Sequence, residues 1–147
     1  LGKAEEQRAA FYARWKADRL VMDKWFGMQI ALAPPEEAVA VANALAGHAD
    51  FDWRNPNRFR SVLGALAGNA AGFHDSSGAG YAFLADWLIK LDPVNPQTTA
   101  RMCGAFETLR RYAADRQGMM REALQRIAST SGLSRDVTEM TGRILEG

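Results

Sequence analysis

At 147 residues the chain is long enough for one domain with a full core. Apolar residues make up 48% and charged residues 24%, with a formal net charge of +1, so there is no overall electrostatic drive toward nucleic acid or a membrane surface. The single Cys103 excludes an internal disulfide and fits a reducing, cytoplasmic setting, and no apolar run approaches the roughly 18 residues needed to span a bilayer.

Residues 3–16 read as a helix in which Ala4, Phe11 and Trp15 share a face, with Glu5, Glu6, Arg8, Arg14 and Lys16 outside. Asp18 can cap a helix over 19–31, where Leu20, Val21, Met22, Trp25, Phe26, Met28 and Ile30 leave few polar positions. A helix apolar most of the way round is buried on several sides, so this one is expected at the centre of the first half. Pro34-Pro35-Glu36-Glu37 starts a helix over 35–46, with proline in the first turn and acids near the positive end of the dipole. Residues 48–54 form a connector anchored by Phe51 and Trp53.

Asn55-Pro56 opens a helix over 56–68: the asparagine caps and the proline needs no backbone N–H at the first position. At 100° per residue Phe59, Val62, Leu63 and Leu66 make one apolar stripe, and Asn57, Arg60 and Gly64 fall opposite. Residues 70–80 are the longest irregular segment, followed by a helix over 80–91. Asn95-Pro96-Gln97 opens another helix in the same way, placing Met102, Cys103 and Phe106 inward and Gln97, Arg101 and Gly104 on the other side. A helix over 113–129 and a last one capped by Ser134 complete the chain. No segment alternates with period two. The reading is all-α, a single domain over 1–147 with seven or eight helices. Two Asn-Pro starts 40 residues apart favour a superhelix of stacked antiparallel pairs of the HEAT or armadillo kind.

Chemical motifs are mostly absent. His48 and His74 lack the spacing of a zinc-binding His-Glu-x-x-His, no phosphate loop or nucleophile elbow occurs, and Cys103 reads as a small buried hydrophobe. His74-Asp75 is the best acid–base pair, with Asp75 able to orient His74; the competing reading is a loop held by hydrogen bonds from both side chains. The six arginines at 101, 110, 111, 116, 121 and 126 read as a solvated face, and the four tryptophans as core anchors. Arg60 and Arg101 either project from one concave surface or make structural salt bridges and caps.

Several runs together carry a family resemblance. They are Leu20-Val21-Met22-Asp23-Lys24-Trp25-Phe26, then Asn55-Pro56-Asn57-Arg58-Phe59-Arg60-Ser61 with its following Leu-Gly-Ala, then Phe73-His74-Asp75 with Gly78-Ala79-Gly80-Tyr81-Ala82-Phe83-Leu84. Asn95-Pro96-Gln97 with Ala100-Arg101, Arg111-Tyr112 with Arg116-Gln117, and Leu133-Ser134-Arg135-Asp136 complete the order. In register and over nearly the whole chain, this resembles the C-terminal part of the bacterial aminopeptidase N family, which are zinc metallopeptidases. One departure is Asp75-Ser76-Ser77-Gly78-Ala79-Gly80, where the family more often has an acidic residue and Gly-Ser-Gly.

The resemblance implies the latter part of the last domain of a larger enzyme, a reading with which a start at Leu1 agrees. The zinc, its ligands and the catalytic residues would then lie upstream, with no catalytic residue, metal or cofactor in these 147 residues, and the chain alone would be inactive. The partners implied are the catalytic domain of the same polypeptide and short peptides. Arg60, Arg101 and Asn57 match positions that line the substrate channel, where a guanidinium can pair with peptide carbonyls or a carboxylate. The alternative is a helical-repeat module that binds a partner protein. An apolar end left by cutting a superhelix makes helix 3–16 the expected place of self-association.

Overall fold

The computed structural model describes residues 2–147. Among them every regular element is helical: α1 (Gly2–Trp15), α2 (Arg19–Ala31), α3 (Ala38–Ala46), α4 (Pro56–Gly68), α5 (Ala70–Phe73), α6 (Ala79–Leu91), α7 (Pro96–Met102), α8 (Ala114–Ala128) and α9 (Arg135–Glu146). Two short 3-10 segments, Cys103–Phe106 and Leu109–Arg111, lie between α7 and α8.

The helix starts follow from local chemistry. Asp18 accepts from the N–H groups of Leu20 and Val21, Asn55 from Asn57 and Arg58, Asn95 from Thr98, and Ser134 from Val137. Each cap satisfies donors that the first helical turn leaves without partners. Three boundaries differ from expectation. The Pro34–Glu37 segment is a turn, so α3 begins at Ala38. The supposedly irregular 70–80 contains the single turn α5, capped by the Asn69 side chain on Gly72 N–H. The second Asn-Pro helix stops at Met102, where the chain tightens into 3-10 geometry.

Elements pack largely with the next but one in sequence: α2 on α4, α6 on α8 and α7 on α9, with α8 also against α9. The inner face of α2 is Met22, Phe26 and Ile30, at fourfold spacing, against Phe59, Val62, Leu63 and Leu66 of α4. The helices approach closely because Gly27 has no side chain; a Cβ there would lie 3.1 Å from Ser61 O. The second half buries Tyr81, Leu84 and Leu88 of α6 against Met120, Leu124 and Ile127 of α8, with Val137 and Ile144 of α9 closing the layer.

Each half has its own polar anchor. Arg58 donates from Nε to Asp23 Oδ1 at 2.5 Å and from Nη1 to Asp50 O at 2.5 Å, and its guanidinium lies over the Phe26 ring. One side chain thus joins α2, the 48–54 connector and α4. Asp92, just past α6 and 3% exposed, accepts from Ser134 N–H at 2.7 Å and Ser134 Oγ at 2.6 Å. It fixes the cap of α9.

The first two helices depart from expectation. No residue of α1 is buried; Tyr12 turns toward the core, while Phe11 and Trp15 face out. In α2 only one stripe is covered, and Leu20 and Met28 are exposed. Trp25, Trp53 and Trp87 pack against the core as anchors and Trp15 does not.

Candidate functional site

Asn57 and Arg60 come together one turn apart on the outer side of α4, where Arg60 Nη2 donates to Asn57 Oδ1 at 2.8 Å. Arg60 makes no ion pair among the described residues. Gly64 shares this face, and a Cβ there would meet only Arg60 Cβ, at 3.6 Å. The face therefore carries an amide, a guanidinium and an open backbone position, none of them used to hold the fold.

Arg101 stands apart. It is exposed on α7 in a groove of about 410 Å³ shared with Ala100 and with Asp136, Glu139, Met140 and Arg143 of α9. It makes no hydrogen bond or ion pair among the described residues, and none joins it to Arg60. The structural-salt-bridge reading of these arginines fits neither of them. It fits Arg58, two positions before Arg60, which spacing alone did not single out. Gly104 lies in the 3-10 segment that follows α7, and a Cβ added there would sit 3.8 Å from Glu107 Oε1 and 3.9 Å from Met140 Cε, a side chain that also lines the Arg101 groove.

His74 and Asp75 do not form an acid–base pair. Asp75 Oδ2 accepts from Ser77 N–H at 3.2 Å, inside its own loop. His74 Nδ1 lies 2.6 Å from Tyr81 Oη, its ring stacks on Tyr112 at 4.1 Å, and Arg116 Nε donates to its carbonyl at 2.7 Å. This is a loop anchor. Burial, with the Arg116 charge second, lowers the His74 pKa from 6.5, and burial pushes the Tyr81 phenol up to about 12.

A depressed imidazole means that the unfolded chain takes up the proton first as pH falls. Stability from His74 is therefore full above pH 6.5 and is lost as pH drops through its lower folded-state value. Urea midpoints at pH 7.5 and 5 check this: the acid-side loss is expected to be smaller in His74→Phe than in the parent. An equal loss in both would show that His74 does not contribute.

Cys103 is fully buried, and burial, aided by the Asp92 charge, pushes its thiol up to about 12, so it is a poor nucleophile at neutral pH. Among the described residues no group of three or more His, Cys, Asp or Glu side chains is placed to hold a metal ion. His48 is occupied in a turn, where its Nδ1 accepts from Asp50 N–H at 2.9 Å. No helix among the described residues is long and apolar enough to cross a membrane.

Comparison with known proteins adds the family. A family profile described as "Domain of unknown function (DUF3458_C) ARM repeats" matches residues 1–146. Aminopeptidase N of Haemophilus influenzae is 40% identical over 139 residues, covering 94% of this chain and 16% of that protein. Aminopeptidase N of Caulobacter vibrioides is 41% identical over 142 residues, covering 96% and 16%. The crystal structure of Legionella pneumophila aminopeptidase A in complex with aspartic acid superposes with a TM-score of 0.91 at 32% identity, over 99% of this chain and 17% of that one. The chain thus spans about a sixth of the length of these relatives. On these matches, the chain belongs to the C-terminal helical domain family of aminopeptidase N.

Proposed function

We propose that these 147 residues are the latter part of the C-terminal helical domain of a cytoplasmic zinc aminopeptidase, which removes N-terminal amino acids from peptides. The observation that carries this is the likeness, at about 40% identity over nearly the whole chain, to proteins named aminopeptidase N. Among the described residues no cluster of His, Cys, Asp or Glu suits a zinc ion, and in this reading the zinc and its ligands belong to the rest of the polypeptide. Bound there, zinc supplies an activated water. This chain forms one wall of the cavity that the catalytic domain faces, narrowing access to short peptides and excluding bulk water.

Within that wall Asn57, Arg60 and Arg101 contact the peptide. Two guanidinium groups without carboxylate partners suit a peptide carbonyl or C-terminal carboxylate, and Asn57 orients the Arg60 fork through its 2.8 Å bond. These residues bind and position; they do not transfer protons.

Arg60→Ala and Arg101→Ala in the full-length enzyme test the reading. Each removes a charge-assisted hydrogen bond, so kcat/KM for short peptides is expected to fall about tenfold while the unfolding free energy stays within about 0.5 kcal/mol of the parent. Unchanged kcat/KM in both variants would remove them from the channel.

A further inference from the structure

The groove beside Arg101 holds a second guanidinium. It runs between α7 and α9, and Arg143 lines its α9 wall, two helical turns or about 10 Å beyond Asp136. Arg143 is exposed and makes no ion pair among the described residues. Its Nη2 donates to Met140 Sδ at 2.8 Å, and a thioether is a weak acceptor.

A better partner is close in sequence. Glu139 precedes Arg143 by four residues, the favourable order for an ion pair along a helix. It turns the other way and accepts from Arg135 Nε at 3.0 Å. Arg135 thus keeps Glu139 occupied, and Arg143 stays uncommitted on a sulfur that it can leave at little cost. Arg101, on the α7 wall, makes no ion pair either among the described residues. Two guanidinium groups with donors to spare therefore line one groove from two helices.

The rest of the lining sets the charge of the ligand. Asp136 and Glu139 balance Arg101 and Arg143, so the lining is neutral overall. A polyanion such as nucleic acid would meet two carboxylates as well as the two arginines. A lone carboxylate engages the guanidinium forks and brings no second charge to the acids. Ala100 and Met140 supply the apolar part of the wall, and a volume of about 410 Å³ is in the range of small-ligand sites.

We propose that the α7–α9 groove takes the C-terminal end of a short peptide substrate. The terminal carboxylate accepts from Arg101 and Arg143, and the last side chain packs on Met140 and Ala100. Asp136 and Glu139 disfavour a peptide whose last residue is acidic. The inference rests on the reading above that the polypeptide is an aminopeptidase with Arg101 in its channel, and it adds Arg143, Asp136 and Glu139 as residues that set specificity.

The test uses the full-length polypeptide and peptides of four to ten residues ending in leucine, each as free acid and as C-terminal amide. At the length that fills the groove the acid is expected to be favoured about tenfold in kcat/KM, and Arg143→Gln to cut that preference to about threefold through a higher KM for the acid. Equal kcat/KM for acid and amide at every length overturns the proposal, as does a preference that Arg143→Gln leaves intact. Changing the last leucine to glutamate is expected to give a kcat/KM about threefold below that with glutamine, its neutral isostere, and Asp136→Asn with Glu139→Gln to close the gap. No gap in the parent would overturn the role of the two acids. Alanine p-nitroanilide has no peptide end to place in the groove. A polypeptide that cleaves it without an acid–amide preference fails only the groove, and one inert to it fails the aminopeptidase reading as well.

Discussion

Replacing Arg58 by alanine is expected to destabilise the protein by about 3 kcal/mol, the lower end of the range for breaking a buried ion pair. The Arg58 and Asp23 side chains are 12% and 21% exposed, so neither is wholly desolvated, and the loss is not the maximal one. Three contacts go at once. Asp23 loses its counter-ion, Asp50 O loses a donor, and Phe26 loses the cation above its ring. The guanidinium fork makes the first two bonds in different directions, from Nε and Nη1, which an ammonium at the end of a flexible stem does not reproduce. Arg58→Lys is therefore expected to recover less than half of the loss. Urea unfolding of both variants checks this, and a cycle with Asp23→Ala isolates the pair, with a coupling of about 1–2 kcal/mol expected. An Arg58→Ala variant within about 0.5 kcal/mol of the parent would mean that the three segments are held by packing alone.

Gly80→Ala is the second large effect. A Cβ at Gly80 would lie 2.4 Å from Phe73 O and 3.0 Å from Phe73 C and Cα. Those are backbone atoms of α5, which cannot rotate aside as a side chain can. Either α6 shifts away from α5 or the His74–Tyr81 anchor opens. The expected cost is about 3 kcal/mol, the upper end for overpacking. For a domain of this size that lowers Tm by about 6–12 °C. Gly142→Ala is the matched contrast. Gly142 lies within α9 and an added Cβ meets nothing within 4 Å. The same substitution there removes only a flexible residue from a helix and is expected to stabilise by about 0.5–1 kcal/mol. Equal effects at the two sites would contradict the close approach of α6 to Phe73.

Most of the fold was legible because its punctuation is local. Asp18, Asn55, Asn95 and Ser134 each bind the N–H groups that an N-cap residue should, and the stripe Phe59, Val62, Leu63 and Leu66 is buried throughout. What escaped depended on the rest of the chain. Cys103 and Gly104 would continue a helix as well as end one, and packing of the following turn against α9 decided for 3-10 geometry. Proline in the first turn predicted α3 three residues early, because a turn accommodates Pro34-Pro35 equally well. Phe11 and Trp15 fit a helical stripe, yet periodicity says nothing about whether a neighbour is there to cover it.

The candidate site shows the same division. That Arg60 and Asn57 share an uncommitted face could be read from a 100° projection, since both lie on one straight helix. That Arg58 would be consumed in structure could not, because Asp23 and Asp50 O come from segments 35 and 8 residues away. The interior phenol of Tyr81 and its contact with His74 were likewise hidden, although both residues stood in the runs that carried the family resemblance. Likeness marked the positions without saying which of them serve the fold and which face outward.

Arg58 also carries a consequence for synthesis. Its partners Asp23, Phe26 and Asp50 all precede it in the chain, so each has already left the ribosome when Arg58 emerges. Helical turns and loops of this size close in microseconds, whereas translation adds about 5–20 residues per second. The α2–α4 unit, with the outward face of Asn57 and Arg60, is therefore able to close while the second half is still unmade. Asp92 has the opposite arrangement, since its partner Ser134 arrives 42 residues later. For some seconds at those rates a carboxylate destined for the interior waits in water at the growing edge of the protein. The two anchors thus give assembly a direction, with the first half closing as it is made and the last helix setting the far end.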